Sequence, residues 1–179
     1  VPGFGRVGFD LAYGGAFYAL ADCRQFGLEF GRDGASAFVE AATVLTAAVK
    51  EAVPLHHPDH KDLAFLYGSI LTDGNDAWNE APTKNACIFA DAQLDRSPTG
   101  SGVTARLAAM HAKGEIHDGT ARIFESIVGS RFAGFVASRT RAGDFDAIIA
   151  RVSGHAYYCG KAEFTVEADD PLGAGFLVP

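Results

Sequence analysis

The sequence is poor in cysteine, tryptophan and methionine. Its 179 residues include three cysteines, one tryptophan and one methionine. Cys23, Cys87 and Cys159 are far apart in the sequence, which argues against a disulfide framework and against a Cys-x-x-Cys metal site. We therefore expect three reduced and mostly buried thiols, as is usual in a cytosolic protein.

Long apolar runs and clusters of basic residues are also missing. No apolar stretch approaches the roughly 18 residues that cross a membrane. The first residues, VPGFGRVGFDL, lack the basic and apolar blocks of a signal peptide. The net charge is −7, whereas nucleic-acid binding needs clustered lysine and arginine to neutralise phosphates. The composition predicts a cytoplasmic protein with neither a membrane nor a nucleic acid as its partner.

Hydrophobic residues are abundant enough for one globular domain over residues 1–179. They make up 48% of the chain, and aromatic residues make up 11%, which argues against disorder. The periodicities predict about eight strands and two main helices, the α+β class, with a helix backed onto or enclosed by a curved sheet. The helices are predicted over 35–53, ended by Pro54, and from near Gly100 to Gly114. Strands are predicted over 7–11, 16–22, 63–73, 85–94, 145–154 and 155–167, with two more between 121 and 140 that turn at Gly129–Ser130.

The segment DRSPTGSG, residues 95–102, places a turn and two glycines directly before the second helix. Gly100 has no Cβ, so a ligand can approach the backbone there. The first amides of a helix lack intrahelical partners and form a ready site for a carboxylate. Asp95 lies just upstream, where it can accept a substrate ammonium. The layout suits an α-amino acid, but the same residues also suit ordinary helix capping by Ser97, Thr99 or Ser101.

Other candidate sites are weaker. The run HHPDH offers His56, His57, Asp59 and His60 as zinc ligands, but a solvated loop after a helix is the simpler interpretation. No phosphate-binding glycine motif follows a strand. We therefore predict neither a metal nor a cofactor.

DRSPTGSG resembles the second active-site motif of the proline racemase family, DRSPCGTG or DRSPCGSG. The segments LAYGGAFYAL, DLAFLYGSILTDG, GSRFAGFV and DDPLGAGF resemble other blocks of that family in the same order, so the resemblance covers the whole chain. It implies the diaminopimelate-epimerase-like fold, in which two similar α+β halves each wrap a β-barrel-like sheet around a central helix. The active site then lies between the halves, and the enzyme is a homodimer.

The resemblance assigns roles to five positions. Asp95 matches the acid that contacts the substrate amine, and the backbone amides of Gly100 and Ser101 match those that hold the substrate carboxylate. Phe89 matches an aromatic that lines the proline ring, with a core strand aromatic as the alternative. Thr99 occupies the position of one of the two catalytic cysteines. Family members with threonine there resemble trans-3-hydroxy-L-proline dehydratases, lyases of hydroxyproline metabolism that need no cofactor.

A second departure from the family concerns the first active-site motif. The CGH segment that carries the other catalytic cysteine is missing, which implies that the chain is the C-terminal half of a longer enzyme and is inactive alone. The missing N-terminal half would then supply the cysteine that removes the Cα proton. Two alternatives stay open: a proline or hydroxyproline epimerase or racemase, and a non-catalytic ligand-binding domain of the same fold.

Overall fold

A computed structural model describes residues 1–175 of the chain. Its helices are α1, Ala35–Ala52, and α2, Gly100–Ala112. The strands are β1 Asp10–Tyr13, β2 Phe17–Asp22, β3 Leu66–Thr72, β4 Thr83–Phe89, β5 Gln93–Leu94, β6 Arg122–Ser126, β7 Arg131–Ala142 and β8 Phe145–Gly154. They form one eight-stranded sheet with the order β1-β2-β3-β4-β6-β7-β8, and β5 pairs with β4. The β2–β3 and β4–β6 pairs are parallel, and the remaining pairs are antiparallel.

Helix α1 covers one face of the central strands. Its buried side chains are apolar and recur at helical spacing, which predicts an amphipathic helix with one face in a core. They pack against Ala19 and Ala21 of β2, Leu71 of β3, and Ala86 and Ile88 of β4. Successive side chains of a strand point to opposite faces of its sheet. The intervening residues of the same strands are therefore free to contact the second helix.

Helix α2 lies on the opposite face. Tyr18 and Leu20 of β2, Ile70 of β3 and Cys87 of β4 form a buried cluster with Ala105 of this helix. A second cluster joins α2 to β6 and β7. The helix contacts both β1 and β8, the two ends of the strand order. The sheet is therefore curled around α2, which confirms the predicted α+β class and the curved sheet around a central helix.

Both predicted helices are confirmed, but three strand predictions need correction. The first strand begins at Asp10 rather than at residue 7, because the backbone N–H and C=O of Gly8 bond to the side chain of Gln25 instead of a neighbouring strand. The strand predicted over 85–94 is divided into β4 and β5. Ala90 and Ala92 cause the division, since both have positive φ angles of 48° and 55° and reverse the chain.

The predicted strand over 155–167 is wrong for this chain. The structure assigns no regular element there, and β8 ends at Gly154. Tyr157, Tyr158 and Phe164 are 87%, 107% and 90% exposed. A strand needs hydrogen-bonded neighbours, and no other strand of residues 1–175 lies beside this segment. Within the same residues, no helix is long and apolar enough to cross a membrane.

Candidate active site at the start of the second helix

The loop before α2, residues 95–99, is anchored to the sheet along its length. The Asp95 amide donates to the Cys87 carbonyl at 2.9 Å. The Arg96 carbonyl accepts from the hydroxyls of Ser126 and Ser130 at 2.8 and 2.7 Å. The Pro98 carbonyl accepts from Asn85 Nδ2 at 2.9 Å. Because successive peptides are held, the loop presents its side chains in a fixed direction.

Thr99 is the residue from which α2 starts, and its backbone is unusual. Its φ is 67° and its ψ is 112°, a region that a β-branched residue rarely occupies. Its hydroxyl donates to Asp95 Oδ2 at 2.7 Å, and Asp95 Oδ1 accepts from the Ser97 amide at 2.8 Å. The Ser97 hydroxyl accepts from the Thr99 amide at 3.0 Å. The acid and the alcohol are thus one hydrogen-bonded unit, and a carboxylate still has acceptor capacity for a further donor.

The first turn of α2 has no side-chain cap. Gly100 is exposed, with open space where a Cβ would be. The Ser101 hydroxyl shares a hydrogen bond of 2.7 Å with the Tyr18 hydroxyl and does not cap the helix. The side-chain capping that the sequence left as an alternative is therefore not realised at Thr99. The helix presents uncapped amides and the positive end of its dipole beside Asp95, which favours an anion.

The turn between β1 and β2 lies against this helix end. A Cβ on Gly14 would lie 2.1 Å from the Ser101 carbonyl oxygen and 2.4 Å from the Ala105 nitrogen. Only glycine allows so close an approach of two backbones. The segment GGAFYA, which resembles a family block, therefore packs on the first turn of α2, and its Tyr18 reaches Ser101.

Phe89 lies on the α2 side of the sheet and is partly buried. Its ring stacks on Tyr67 at 5.3 Å with an interplanar angle of 10°. Tyr67 in turn meets Tyr18 edge-on at 5.8 Å. The three rings thus form a row from Phe89 at the end of β4 to Tyr18, whose hydroxyl contacts Ser101. Because Phe89 is neither fully exposed nor fully buried, its role as a ring-lining residue stays a prediction.

Two titratable side chains near Thr99 were missed by sequence reasoning. Burial raises the pKa of the Cys87 thiol to about 12, with the neighbouring Thr99 side chain opposing and the negative charge of Asp95 adding to the rise. Burial likewise raises the pKa of Tyr18 to about 12, against the hydrogen bond with Ser101. Both groups stay protonated at neutral pH, so Cys87 is not a thiolate here. Cys87 was expected only as a buried thiol, and nothing in the local pattern of β2 or β4 predicts that these two side chains lie near Thr99 and Ser101.

The structure also bears on the other candidates. His57 Nδ1 accepts from the Asp59 and His60 amides at 3.3 and 3.1 Å, so this ring organises its own loop. No group of three or more metal-ligating side chains occurs within residues 1–175. Cys23 and Cys87 are buried as predicted, but Cys159 is exposed, because its segment has no partner strand. Two cavities of about 420 and 570 Å³ lie elsewhere, and neither is lined by Thr99 or Asp95. At the start of α2, Gly100 is exposed, whereas Thr99 is only 8% exposed.

The family model described as proline racemase matches residues 1–177. Trans-L-3-hydroxyproline dehydratase of Saccoglossus kowalevskii is 50% identical over 179 residues, which cover 99% of this chain and 55% of the relative. The dehydratases of Bos taurus and Homo sapiens are 52% and 51% identical, and the match covers 51% of each. The chain therefore spans about half the length of these curated relatives.

Two solved structures are similar over 99% of this chain, each with a TM-score of 0.87 and 31% identity. One is a probable proline racemase from Agrobacterium radiobacter K84 with bound carbonate, of which the match covers 52%. The other is a hydroxyproline epimerase from Agrobacterium vitis with bound trans-4-hydroxy-L-proline, of which it covers 50%. The curled sheet and its two helices are thus the architecture of one half of these larger chains.

Proposed function

The chain belongs to the proline racemase family, and on that premise we propose that it supplies one half of the active site of a trans-3-hydroxy-L-proline dehydratase. The observation that carries the proposal is the hydrogen-bonded pair of Thr99 and Asp95 beside the uncapped start of α2. An alcohol, rather than a thiol, thus lies next to a carboxylate and the uncapped first amides of a helix, which supports binding of an anion there. The names of the relatives at 50–52% identity support the same reaction.

In the proposed complex, the amides of Gly100 and Ser101 bind the substrate carboxylate and Asp95 accepts from the substrate ammonium. The carboxylate gains about 0.3–2 kcal/mol from the helix dipole alone. A cysteine thiolate of the complementary half removes the Cα proton, and the electron pair of that C–H bond forms the double bond to C3. The C3–O bond breaks, and the hydroxyl, which in the trans isomer lies on the same ring face as the Cα hydrogen, leaves as water with the proton of the thiol formed in the first step, which restores the thiolate. The resulting enamine tautomerises to the cyclic imine Δ1-pyrroline-2-carboxylate.

Thr99 assists the departing hydroxyl or orients the substrate by hydrogen bonding. Racemisation requires a second proton-transfer group on the opposite face of Cα. A thiol with a pKa near about 8.5 can be tuned for that task, whereas a threonine hydroxyl is far less acidic. Cys87 does not replace it, because it is buried and its pKa is raised to about 12. A one-base elimination is therefore the chemistry that these residues support best.

The proposal is tested in the longer polypeptide, in which this chain is joined to a complementary half such as its relatives possess. Incubation with trans-3-hydroxy-L-proline in D₂O, followed by NMR, separates loss of water from inversion at Cα. We expect loss of water, and no turnover by residues 1–179 alone. Turnover by the isolated chain would contradict the two-half site.

Substitution of Thr99 sharpens the test. We expect Thr99→Ala to lower kcat for dehydration by about 10²-fold, the usual scale for a group that assists proton transfer. Thr99→Cys should introduce deuterium exchange from the second face of Cα, because a thiol there can carry a proton. Equal exchange from both faces in the wild type and in Thr99→Cys would refute the one-base mechanism.

Two rival functions remain distinct outcomes. The similarity to a hydroxyproline epimerase structure favours an epimerase as the second candidate, and inversion without loss of water would identify it. A ligand-binding domain without chemistry would bind pyrrole-2-carboxylate but turn over no proline derivative. The proposal also includes a cytoplasmic homodimer, and sedimentation of the longer polypeptide tests the dimer.

A further inference from the structure

The peptide between Pro98 and Thr99 is held from both sides. Asn85 Nδ2 donates to its carbonyl oxygen at 2.9 Å, and the Ser97 hydroxyl accepts from its N–H at 3.0 Å. This peptide precedes the positive φ of Thr99. A positive φ at a β-branched residue persists only where the surroundings enforce it. The two hydrogen bonds stabilise this backbone conformation of Thr99. Ser97 belongs to the loop itself, whereas Asn85 makes its bond from strand β4.

Asn85 is itself fixed by a buried cation. Its side-chain oxygen accepts from Arg106 Nη1, so the amide nitrogen is left to face Pro98. Arg106 projects from α2 and also donates to Asp76, to Thr83 Oγ1 at 2.8 Å and to the Lys84 carbonyl at 3.1 Å. Asn85 and Arg106 are each 1% exposed. Buried polar groups with all partners present hold one arrangement.

We infer that Asn85 is a positioning residue for the active site: it orients the Pro98–Thr99 peptide and thereby aims the Thr99 hydroxyl and the Gly100 amide. Arg106 acts one step further back by setting the orientation of the Asn85 amide. The inference rests on the proposed function, because it assigns a task to a residue behind Thr99. Neither Asn85 nor Arg106 lies in the motif that carries the family resemblance.

The decisive variant is Asn85→Asp in the longer polypeptide. An ionised aspartate has the same shape and still accepts from Arg106, but it cannot donate to the Pro98 carbonyl. Asn85→Ser is the second variant, since its short side chain adds no charge and does not reach that carbonyl. We expect both to lower kcat by about tenfold, a loss of transition-state stabilisation rather than of binding, with a smaller change in KM.

Ser69→Ala is the matched control. It removes a buried hydroxyl of the same sheet whose hydrogen bond of 2.7 Å goes to Thr46 of α1, on the opposite face, and it leaves the Pro98–Thr99 peptide untouched. We expect its kcat to stay within about twofold of the wild type. In a Thr99→Ala background, Asn85→Asp should cost much less than in the wild type, because residues that act through each other are not additive. Unchanged kcat in both Asn85 variants, or losses that simply multiply, would overturn the inference.

Amide NMR separates this inference from the proposed function. In Asn85→Asp we expect the Thr99 and Gly100 resonances to shift while those of α1 do not. If the wild type does not dehydrate the substrate but these shifts occur, the function fails and the positioning role stands. If the wild type dehydrates the substrate and Asn85→Asp neither shifts these resonances nor slows turnover, the positioning role fails alone.

Discussion

Helices α1 and α2 lie on opposite faces of one sheet, but they bury different kinds of side chain. The buried residues of α1 are Phe38, Ala41, Ala42, Leu45 and Val49. Those of α2 are the small Gly102 and Ala105, the apolar Val103, Leu107 and Met110, and the charged Arg106. Both helices start without a side-chain cap. Gly34 precedes α1 with an ordinary φ of −75°, whereas Thr99 precedes α2 with a φ of 67°.

The difference indicates that α1 stabilises the fold by packing, whereas α2 also positions the residues of the candidate site. The contribution of α1 is burial of apolar surface, worth about 25 cal/mol for each Å² removed from water. Helix α2 adds a polar network that runs from Asp76 through Arg106 and Asn85 to the loop of Thr99. Its free-energy cost in desolvation is repaid only while every partner is present. We therefore expect substitutions in α1 to change stability alone, and substitutions in this network to change both stability and the site.

Arg106→Met should have the largest effect. Methionine fills much of the same volume but leaves Asp76, Thr83 and Asn85 without their buried donor. Removing one partner of a fully buried ion pair costs about 3–5 kcal/mol in the free energy of unfolding, and because Asp76 is 28% exposed we expect a loss at the lower end of that range. Arg141→Met is the control, because Arg141 pairs with Asp146 at the surface, where the two side chains are 62% and 98% exposed and such a pair contributes about 0–1 kcal/mol. Urea unfolding of the two variants measures the contrast. Equal losses in the free energy of unfolding would show that the α2 network contributes no more to stability than a surface ion pair does.

Leu45→Ala tests the packing side of the comparison. Leu45 is fully buried between α1 and the sheet, and truncation of such a side chain costs about 3 kcal/mol. Thr43→Ala on the exposed face of α1 should change stability by less than about 0.5 kcal/mol. The amide resonances of Thr99 and Gly100 should stay in place in Leu45→Ala. Their movement would mean that α1 also helps to position the site.

The contrast between the helices also explains what the sequence could predict. Apolar spacing located α1 to within one residue, because its fold depends on one apolar face. The family motif located the start of α2 and the segment that contains Thr99 and Asp95. It did not predict that Thr99 would donate to Asp95 rather than cap the helix. Neither source pointed to Asn85, since one buried asparagine in an apolar strand has no periodic signal.

The two strand predictions that failed over residues 85–94 and 155–167 also have physical causes. The turn between β4 and β5 uses Ala90 and Ala92 at positive φ, where glycine would have been the recognisable signal. Residues 155–167 alternate as a strand does, yet pairing depends on a neighbour that no local pattern contains. Local patterns thus predicted the helices, whose backbone hydrogen bonds are internal. They could not show whether a strand-like segment has a neighbouring strand to pair with.

The smallest expected effect concerns the far end of α2. Burial, and next the negative charge of Asp76, raise the pKa of Glu115 above its usual 4.5, with Lys113 and Arg106 opposing. Its Oε2 is buried and has no hydrogen-bond partner among residues 1–175. The folded state therefore binds this proton more tightly than the unfolded state. The resulting stabilisation is complete below about pH 4.5 and is lost as the pH rises through the folded pKa.

Glu115→Gln should accordingly raise the free energy of unfolding at pH 7, by less than about 1 kcal/mol after solvent screening, and should have no such advantage at pH 4. Glu51→Gln, on the exposed last turn of α1, should change it by less than about 0.5 kcal/mol at either pH. Thermal unfolding of the two variants at both pH values makes the comparison. An equal gain at pH 4 would show that shape rather than charge limits this end of α2, and the two helices would then differ only at their first turns.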